Sequence, residues 1–281
     1  MFSVVIPAYN ESTVIERCLR AMLQDAKPGE FEIVVVPNGC SDDTADRARA
    51  FGEMVKVVET PVGSKSGALN LGDEHATGFP RMYIDADIVV TTEALRDIAG
   101  MLGDDSPVLV AAPRAIIAFE DRPWQVRSFC KVWTSLPYFT EGMIGSGFYA
   151  FSRKGRERFD RFPEIIADDG FARLQAAPHE RRTSSRSSFT ISPPTTLRAI
   201  ANVMVRVRAG NYELREKFPA LFDNETTSAS RSLQIIATQP GLWFHAPIYL
   251  GVMLYSKLLA HRKLQRKQQS MWERDETARQ I

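Results

Sequence analysis

Two aspartates interrupt a hydrophobic stretch near the end of a predicted strand. The stretch reads YIDADIVV, residues 83 to 90, and places Asp85 and Asp87 two positions apart. Two carboxylates at a strand end can turn toward one site if the chain leaves regular pleating between them, which the small Ala86 permits. Oxygen ligands of this kind suit Mg²⁺ or Mn²⁺, above all when substrate phosphates complete the coordination. The alternative is that both aspartates cap a helix that begins near Thr91 or Thr92.

A second acidic pair, Asp168 and Asp169, stands in IIADDGFARL ahead of a predicted helix. Two adjacent like charges near a cleft raise the pKa of one of them, which improves its proton affinity. Helix capping ahead of Phe171 to Leu174 explains one of the two aspartates and explains both less easily.

The elements that position these carboxylates alternate along the chain. SVVIPAYNES predicts a buried strand followed by a helix that Asn10 or Ser12 caps. FEIVVVPNGCSDDTADRARAF repeats the scheme, with Ser41 or Asp42 at the helix start. VKVVET, RMYIDADIVV and SPVLVAAPRAI supply further strands, and SGALNLGDEHA supplies a helix. This alternation predicts a parallel sheet wound by crossover helices.

Polar residues follow the carboxyl ends of these predicted strands. They are Tyr9 to Glu11, Asn38 to Asp42, Gly63 to Lys65, and Asp85 with Asp87. In an open parallel sheet, ligands bind beyond the carboxyl ends of the strands. The four segments therefore predict a single crevice.

The composition limits the classes of partner. Lys and Arg number 35 against 34 Asp and Glu, and the net charge of +1 gives no general electrostatic case for nucleic-acid binding. Cys18, Cys40 and Cys130 are odd in number and lack a Cys-x-x-Cys pair, which argues against a disulfide scaffold and a zinc site. The start MFSVVIPAYN does not resemble a secretory signal. We expect the protein in the cytoplasm.

The chain changes character after about residue 115. Residues 120 to 165 are rich in aromatic side chains, and TLRAIANVMVRVRAGNYEL predicts a helix. PHERRTSSRSSF is polar, basic and serine-rich, and we expect a mobile loop there.

The C-terminal part holds a strongly apolar segment, LWFHAPIYLGVMLYSKLLA, residues 242 to 260, followed directly by the basic stretch HRKLQRK. A membrane span needs about 20 predominantly apolar residues, and His245, Pro247 and Lys257 interrupt this segment. Three interpretations stay open: a span, a helix that contacts the membrane surface through residues 242 to 267, and a helix packed on the domain or at a homodimer contact.

An ordered set of motifs resembles the inverting glycosyltransferases of family 2, which have the GT-A fold. The motifs are VVIPAYNE, IVVVPNGCSDDT, GSKSGALNLG, YIDAD and ADDGFARL. The resemblance covers about residues 2 to 210. It implies an α/β fold with a mixed, mainly parallel sheet flanked by helices, to which this chain adds the C-terminal helical segment. It also implies a nucleotide-sugar half over 1–115 and an acceptor and catalytic half over 116–235. The apolar and basic residues described above predict an apolar helix with a basic tail over 236–281.

The resemblance also implies roles for individual residues. The nucleotide sugar would be bound by Pro7, Ala8, Tyr9, Glu11, Asn38, Asp42, Lys65, Asp85 and Gly147. Asp87 and Asp85 would hold Mg²⁺ or Mn²⁺, Asp87 being the preferred direct ligand. In the acidic pair, Asp169 aligns with the usual catalytic base, and Asp168 is its companion.

Two departures from the family pattern bear on the substrate. The family's second loop usually reads Asp-Asp-Gly-Ser, whereas this chain has Pro37, Asn38, Gly39 and Cys40. A UDP-sugar is the first expectation for the donor, with guanosine and thymidine diphosphate sugars open. The Gln-x-x-Arg-Trp motif of processive members is not found, which favours a single transfer. Candidates for a diphosphate contact are Arg181, Arg182, Arg186, Arg206 and Arg208.

The function implied is transfer of a sugar to a hydroxyl acceptor in polysaccharide, glycolipid or cell-envelope glycan synthesis. The apolar C-terminal segment favours a lipid-linked acceptor at the inner face of the plasma membrane. A sugar-nucleotide pyrophosphorylase is one alternative, but IPAYNES lacks the glycine-rich loop with Arg and Lys of those enzymes. A non-catalytic relative is another, and it would be expected to lose an aspartate from one of the two pairs. The chain also lacks the glycine spacing of a P-loop and of a dinucleotide-binding loop.

Overall fold

The computed structural model describes residues 1–140, 146–226 and 229–265, with side chains described as far as residue 260. Its centre is a seven-stranded sheet with the order β3-β2-β1-β4-β6-β5-β7. The strands are β1 (Phe2–Ala8), β2 (Phe31–Pro37), β3 (Val55–Val57), β4 (Arg81–Ile84), β5 (Val110–Ile117), β6 (Phe148–Phe151) and β7 (Arg181–Ile191). Neighbouring strands are parallel, except that β6 runs antiparallel to β4 and β5. The prediction of a mixed, mainly parallel sheet is confirmed.

Helices cover both faces of this sheet. The α-helices of the described ranges are α1 (Ile15–Leu23), α2 (Thr44–Arg49), α3 (Lys65–His75), α4 (Thr92–Met101), α5 (Trp124–Trp133), α6 (Pro137–Thr140), α7 (Arg153–Arg156), α8 (Asp168–Leu174), α9 (Leu197–Lys217), α10 (Ala229–Thr238), α11 (Pro240–Trp243) and α12 (Ala246–Gln265). Short 3₁₀ turns lie at Gly52–Met54, Pro178–Glu180 and Pro219–Asn224.

Two apolar layers pack against the sheet. Because side chains alternate along a strand, Val4 and Ile6 of β1 join the layer with α1 and α4, whereas Val5 joins the layer with α3 and α8. All three side chains are fully buried. Covering on both faces explains why these strands are continuous apolar runs in the sequence.

The segment Ala68–Gly72 anchors α3 to the sheet and to the second half of the chain. A Cβ added at Gly72 would lie 2.3 Å from Cγ1 of Val5 and 3.2 Å from Cγ2 of Val36, so glycine is needed for the close approach. Asn70 accepts a hydrogen bond from the backbone N–H of Phe162 (2.8 Å) and donates one to its carbonyl (3.0 Å). These contacts fix the N-terminus of α3, where Lys65 lies.

A third apolar cluster forms beside the sheet from α5, α9, α11 and α12. Ile117 and Ile191, the last residues of β5 and β7, belong to it together with Tyr249 and Val252 of α12. These helices therefore pack at the edge where the parallel strands have their carboxyl ends. Among the helices of residues 1–140, 146–226 and 229–265, none combines the length and apolarity that crossing a membrane requires.

The prediction of a mobile serine-rich loop is wrong. Arg181–Ile191 forms β7, which pairs in parallel with β5 at the edge of the sheet. As an edge strand, β7 has one neighbour, and much of its length faces solvent, so its sequence can be polar. Ser184 and Ser187 both donate hydrogen bonds to Oδ2 of Asp97, at 2.5 and 2.6 Å. The hydroxyls that indicated a loop thus hold the strand in place.

Smaller differences concern element boundaries. The first helix begins at Ile15 without a side-chain cap, while Asn10 adopts a positive φ of 53° and bonds to the second loop. Residues 242–260 do not form one helix, because α11 ends at Trp243 and α12 begins at Ala246. The proposed division at residue 115 falls within β5, and the three-part division stays a prediction. Residues 266–281 of the basic tail lie outside the described residues.

Candidate functional site

The predicted crevice forms where the carboxyl ends of β1, β2 and β4 meet the N-termini of α3 and α8. The loops after these strands carry Tyr9 to Glu11, Asn38 to Asp42, and Asp85 with Asp87. Lys65 is the first residue of α3, and Asp168 is the first residue of α8. Segments that are distant in sequence therefore meet at one edge of the sheet.

An ion-paired cluster links these segments. Nζ of Lys65 lies 2.8 Å from Oδ1 of Asp85 and 3.1 Å from Oδ2 of Asp168. The hydroxyl of Tyr149 also donates a hydrogen bond to Oδ2 of Asp168, at 3.0 Å. Ser64 caps α3 through a bond from Gly67 N–H to its Oγ (3.1 Å), which orders the turn that carries Lys65.

Burial and charge set the protonation states in this cluster. Burial alone would lower the pKa of Lys65, but Asp168 and Asp85 raise it above its usual range, so the ammonium stays charged. Burial raises the pKa of Asp168 to about 6; Asp169 and Asp85 act in the same direction, and Lys65 opposes them. Burial and the charge of Asp168 also raise the pKa of Tyr149, which keeps its hydroxyl protonated.

Asp169 is more accessible than its neighbour. Its side chain is partly exposed, whereas Asp168 is only 5% exposed. Oδ1 of Asp169 accepts a hydrogen bond from the backbone N–H of Gly170 (2.7 Å). Burial and the charge of Asp169 raise the pKa of Tyr138 to about 12, so this phenol lies close to the carboxylate. Asp169 is thus the more exposed member of the pair, in the first turn of α8.

Gly147 supports Asp85 through its backbone. Its carbonyl accepts a hydrogen bond from the N–H of Asp85 at 2.8 Å, and its φ is +98°. An added Cβ would lie 3.0 Å from Cγ2 of Ile88 and 3.6 Å from Oδ2 of Asp85. Both the backbone conformation and the crowding require glycine. Gly145, in the same GSGFYA segment, lies outside the described residues.

Asp87 and Glu11 add negative charge to the same region. Burial, followed by the charges of Asp87, Asp85 and Glu11, raises the pKa of the Cys18 thiol, while Arg17 opposes them. All three carboxylates therefore lie close enough to the buried Cys18 thiol to raise its pKa. Arg17 donates a hydrogen bond to the backbone carbonyl of Asp87 (3.4 Å), which ties α1 to this loop.

The donor chemistry of Asp85 and Asp87 fits a hard divalent cation. Carboxylate oxygens suit Mg²⁺ and Mn²⁺, which commonly take substrate phosphates and water as further ligands. In the part of the chain that the structure describes, no group of three or more His, Cys, Asp or Glu side chains is arranged to hold a metal by itself. Substrate phosphates and water would complete the coordination of a cation held by these two carboxylates.

Asn38 directly follows β2 and bonds to the backbone at the ends of β1 and β2. Its side chain is fully buried, and Nδ2 donates hydrogen bonds to the carbonyls of Ala8 (2.9 Å) and Val36 (3.3 Å). An aspartate could not donate these bonds, which explains why an amide suits this position. Oδ1 has no hydrogen-bond partner among the described residues. Nucleotide binding by Asn38 stays a prediction.

Other predicted nucleotide residues shape the neighbouring loops. Pro7 and Ala8 are buried within β1, so they define the backbone path into the pocket. Gly39, with a φ of +61°, lies against Gly63, since an added Cβ would be 2.8 Å from Cα of Gly63. Gly63 in turn lies against the ring of Tyr9, where an added Cβ would be 3.5 Å from Cε2. The three loops are therefore in direct contact.

Asp42 connects the first and second loops. Its carboxylate accepts hydrogen bonds from the N–H of Ser12 (3.2 Å) and from the N–H (3.1 Å) and hydroxyl (2.5 Å) of Thr44. Partial burial would raise its pKa, but these bonds outweigh it and lower the pKa. The same Thr44 hydroxyl accepts from the N–H of Glu11 at 2.7 Å. The predicted cap at Ser41 or Asp42 is wrong, because α2 begins at Thr44 with Asp43 as its N-cap residue and has no side-chain cap hydrogen bond; a nucleotide contact of Asp42 stays a prediction.

Arg181 and Arg208, two of the five candidate arginines, have partners within the protein, and a diphosphate contact by any of the five stays a prediction. Arg181 is buried and donates to the carbonyls of Arg173 (3.4 Å) and Asn224 (2.7 Å). Arg208 donates to Oγ of Ser256 on α12, at 3.3 Å. Both guanidinium groups therefore have structural partners. Conversely, the role of Tyr149 was missed, although its alternation with Phe148 along β6 could have placed it on the α8 face of the sheet.

Comparisons with known proteins agree with this arrangement. Residues 3–168 match the family described as Glycosyl transferase family 2. A PGL/p-HBAD biosynthesis glycosyltransferase of Mycobacterium bovis is 30% identical over 112 residues, which are 38% of this chain and 43% of that protein. The aligned part thus spans less than half the length of this relative.

Two solved structures show the same fold at low identity. Mannosyltransferase PcManGT from Pyrobaculum calidifontis, in complex with GDP-Man and Mn²⁺, aligns over 95% of this chain and 81% of its own with a TM-score of 0.61 and 20% identity. Glucosyl-3-phosphoglycerate synthase from Mycobacterium tuberculosis, with Mn²⁺, uridine-diphosphate-glucose and phosphoglyceric acid, aligns over 77% and 79% with a TM-score of 0.54 and 20% identity.

The family match covers more than half of the chain, and it includes β1 to β6 and the loops that form the crevice. The structural likeness extends beyond the match, to nearly the whole chain. The chain therefore belongs to glycosyl transferase family 2 and has the GT-A fold.

Proposed function

We propose that the protein transfers a sugar from a nucleoside diphosphate sugar to a hydroxyl group of an acceptor, with inversion at the anomeric carbon. The single observation that carries the proposal is the ion-paired cluster of Asp85, Lys65 and Asp168 with Asp169 beside it. In the proposal, the cluster brings a cation, a carboxylate that would hold a metal and a carboxylate that would act as base to one crevice. Membership of the family and the names of the relatives support the same reaction.

In this proposal the charges of the cluster recognise the diphosphate. Lys65 remains protonated between its two carboxylate partners, and an ammonium at a helix N-terminus attracts phosphate oxygens. Asp85 and Asp87 would hold Mn²⁺ or Mg²⁺, which offsets the negative charge of a leaving diphosphate when bound. Tyr9, Glu11 and Asn38 would line the nucleoside pocket.

The two members of the acidic pair take different roles in this proposal. Oδ2 of Asp168 is bound by Lys65 and Tyr149, so this carboxylate positions the lysine. Asp169 has greater exposure and takes the proton of the acceptor hydroxyl. Such a base contributes about 10²–10⁴-fold to the rate.

The donor is proposed to be a UDP-sugar, and a GDP-sugar is the next candidate. Uridine-diphosphate-glucose and GDP-Man are bound by the two solved structures compared above. The acceptor is proposed to be a lipid-linked hydroxyl compound at the cytoplasmic face of a membrane. The exposed Leu250, Leu254 and Leu258 of α12, a helix that packs at the same edge of the sheet as the crevice, support this location.

A thermal-shift screen of nucleoside diphosphate sugars tests the donor and the metal together. A true donor should raise the unfolding midpoint in the presence of Mn²⁺ or Mg²⁺ and lose this effect in EDTA, because ligands that bind the native state stabilise it. Asp87→Asn should remove the metal dependence, whereas Asp46→Asn, which alters an exposed ion pair with Arg49, should not. If no nucleoside diphosphate sugar shifts the midpoint with either metal, the proposal fails.

The base is tested separately with Asp169→Asn. We expect this variant to bind the donor with metal as the wild type does and to lose transfer by about 10²–10⁴-fold. Loss of donor binding together with turnover would remove Asp169 from the role of base.

A further inference from the structure

One face of α12 exposes a continuous apolar stripe. The opposite face packs on α5 and α9 through Tyr249, Val252 and other buried side chains. The exposed face carries four large side chains at helical spacing, and their exposed fractions are 42%, 60%, 48% and 58% for Leu250, Leu254, Tyr255 and Leu258. Positions three or four apart lie on one side of a helix, so these side chains form a single surface.

The stripe continues onto the chain before α12 and onto α5. Trp243 is 58% exposed and Phe244 is 76% exposed. Trp124 at the start of α5 is 53% exposed, and its ring lies 6.4 Å from that of Phe244 between centroids. We call these seven side chains of α5, α11, α12 and their connection the apolar face. A contiguous exposed patch of this kind marks an interaction site in a soluble domain.

The sequence on both sides of α12 is basic. Residues 226–272 contain no Asp or Glu but hold six of the 35 Lys and Arg, namely Arg231, Lys257, Arg262, Lys263, Arg266 and Lys267. The remaining 29 basic residues face 34 acidic ones, so the rest of the chain has a net charge of −5. On α5, the exposed Arg127 and Lys131 lie near His245, whose pKa is lowered by burial and by these two charges.

We propose that the apolar face rests on an anionic lipid bilayer, with α12 lying in the plane of the surface. Exposed Leu, Trp, Tyr and Phe side chains insert into the headgroup region, and flanking Lys and Arg side chains attract anionic headgroups. A second copy of the chain fits this face less well. Pairing two such faces would bring two basic surfaces together, which repel each other.

This placement has a geometric consequence for the crevice. The cluster behind the apolar face includes Ile117 and Ile191, the last residues of β5 and β7. The bilayer would therefore lie toward the sheet edge that carries the carboxyl ends of the parallel strands. Membrane binding itself does not rest on the proposed transfer reaction and is measured without donor or acceptor.

Co-sedimentation of the full chain with vesicles tests the inference. We expect binding to vesicles of phosphatidylcholine with phosphatidylglycerol, much weaker binding to phosphatidylcholine alone, and a loss of binding as salt rises. Leu258→Glu should weaken binding by about tenfold or more, because it places a carboxylate in the interface. Met54→Glu is a matched control. Met54 is also 58% exposed, but it lies just before β3, at the opposite end of the sheet from β5 and β7.

The unfolding midpoint of each variant checks that the fold is intact, as expected for exposed positions. Equal binding by the wild type and Leu258→Glu would overturn the inference. A wild type that does not bind vesicles would also overturn it, above all if sedimentation equilibrium shows a dimer and Leu258→Glu dissociates that dimer. That second result would assign the apolar face to a second copy of the chain.

Discussion

Nζ of Lys65 lies 2.8 Å from Oδ1 of Asp85, so the N-terminus of α3 is joined to the end of β4 by an ion pair. The same ammonium contacts Asp168 at 3.1 Å, and the side chain of Asp168 is only 6% exposed. A single lysine thus connects the predicted metal site with the predicted catalytic pair.

Replacing Lys65 with methionine should therefore lower the free energy of unfolding. Loss of a partner leaves a buried carboxylate uncompensated, which costs about 3–5 kcal/mol for a fully buried pair. Because the lysine side chain is 22% exposed and its partner Asp85 34%, solvent screening should reduce the loss to about 1–3 kcal/mol. Urea denaturation measures it.

The control for Lys65→Met is Arg20→Met. Arg20 pairs with Glu16 at 3.2 Å, with side chains that are 72% and 38% exposed. A change within about 0.5 kcal/mol is expected there. Equal losses for the two variants would show that the Lys65 pairs are no stronger than surface pairs.

The stability of the protein should depend on pH through Asp168. Its pKa is raised from 3.8 to about 6 in the folded state, chiefly by burial, so the folded state binds more protons than the unfolded state in that window. Stability from this group is present below pH 3.8 and is lost as pH rises through about 6. The total is on the order of 3 kcal/mol, since one pKa unit corresponds to about 1.4 kcal/mol.

Asp168→Asn should remove this dependence. The unfolding free energy of the variant, relative to wild type, should rise between pH 4 and 7, and urea titrations at each pH measure it. Glu30→Gln gives the opposite sign, because the hydrogen bond from Arg96 lowers the pKa of Glu30 from 4.5 to about 2. The stability that Glu30 contributes is lost as the pH falls from 4.5 to about 2. A flat difference for Asp168→Asn would contradict the raised pKa.

Asn38→Asp should destabilise the protein even though aspartate is the usual residue of the family at this position. The amide of Asn38 donates hydrogen bonds to two backbone carbonyls in a fully buried position. The oxygens of a carboxylate can only accept, so both carbonyls would lose their donor. The expected loss of unfolding free energy is about 1–3 kcal/mol.

Asn10→Asp provides the comparison for this substitution. Asn10 uses Oδ1 as an acceptor, from the N–H of Ser41 (2.7 Å) and its hydroxyl (3.3 Å), and aspartate keeps that oxygen. Its positive φ of 53° is also tolerated by aspartate. The stability change should stay within about 0.5 kcal/mol. A similar loss in both variants would indicate a general effect of added charge.

Gly72→Ala should disturb the packing of α3 on the sheet. The added Cβ would lie 2.3 Å from Cγ1 of the fully buried Val5, and overpacking of this kind costs about 1–3 kcal/mol. Gly100→Ala, in α4, has no atom within 4 Å of the added Cβ and should leave stability unchanged or raise it by up to about 1 kcal/mol. Thermal unfolding of both variants measures the contrast. Equal midpoints would show that α3 shifts without cost.

The sequence by itself determined the alternation of strands and helices, because apolar periodicity and turn residues act locally. It also indicated the loop that carries Asp85 and Asp87, since ligands of a parallel sheet collect at its carboxyl edge. The acidic pair Asp168 and Asp169 was indicated by the resemblance to the family. The sequence did not predict the edge strand β7, and a loop was expected in its place. An edge strand is held largely by backbone hydrogen bonds, and these leave no mark on the side-chain pattern.

Only the tertiary structure decided which of these groups meet. Lys65 reaches Asp85 and Asp168 because Gly72 seats α3 against Val5 and Asn70 ties it to Phe162. The same packing divides the acidic pair into a buried member and an accessible one, and it turns the amide of Asn38 toward the backbone. Burial and pairing depend on contacts between distant segments, and these set the protonation states that sequence spacing does not reveal.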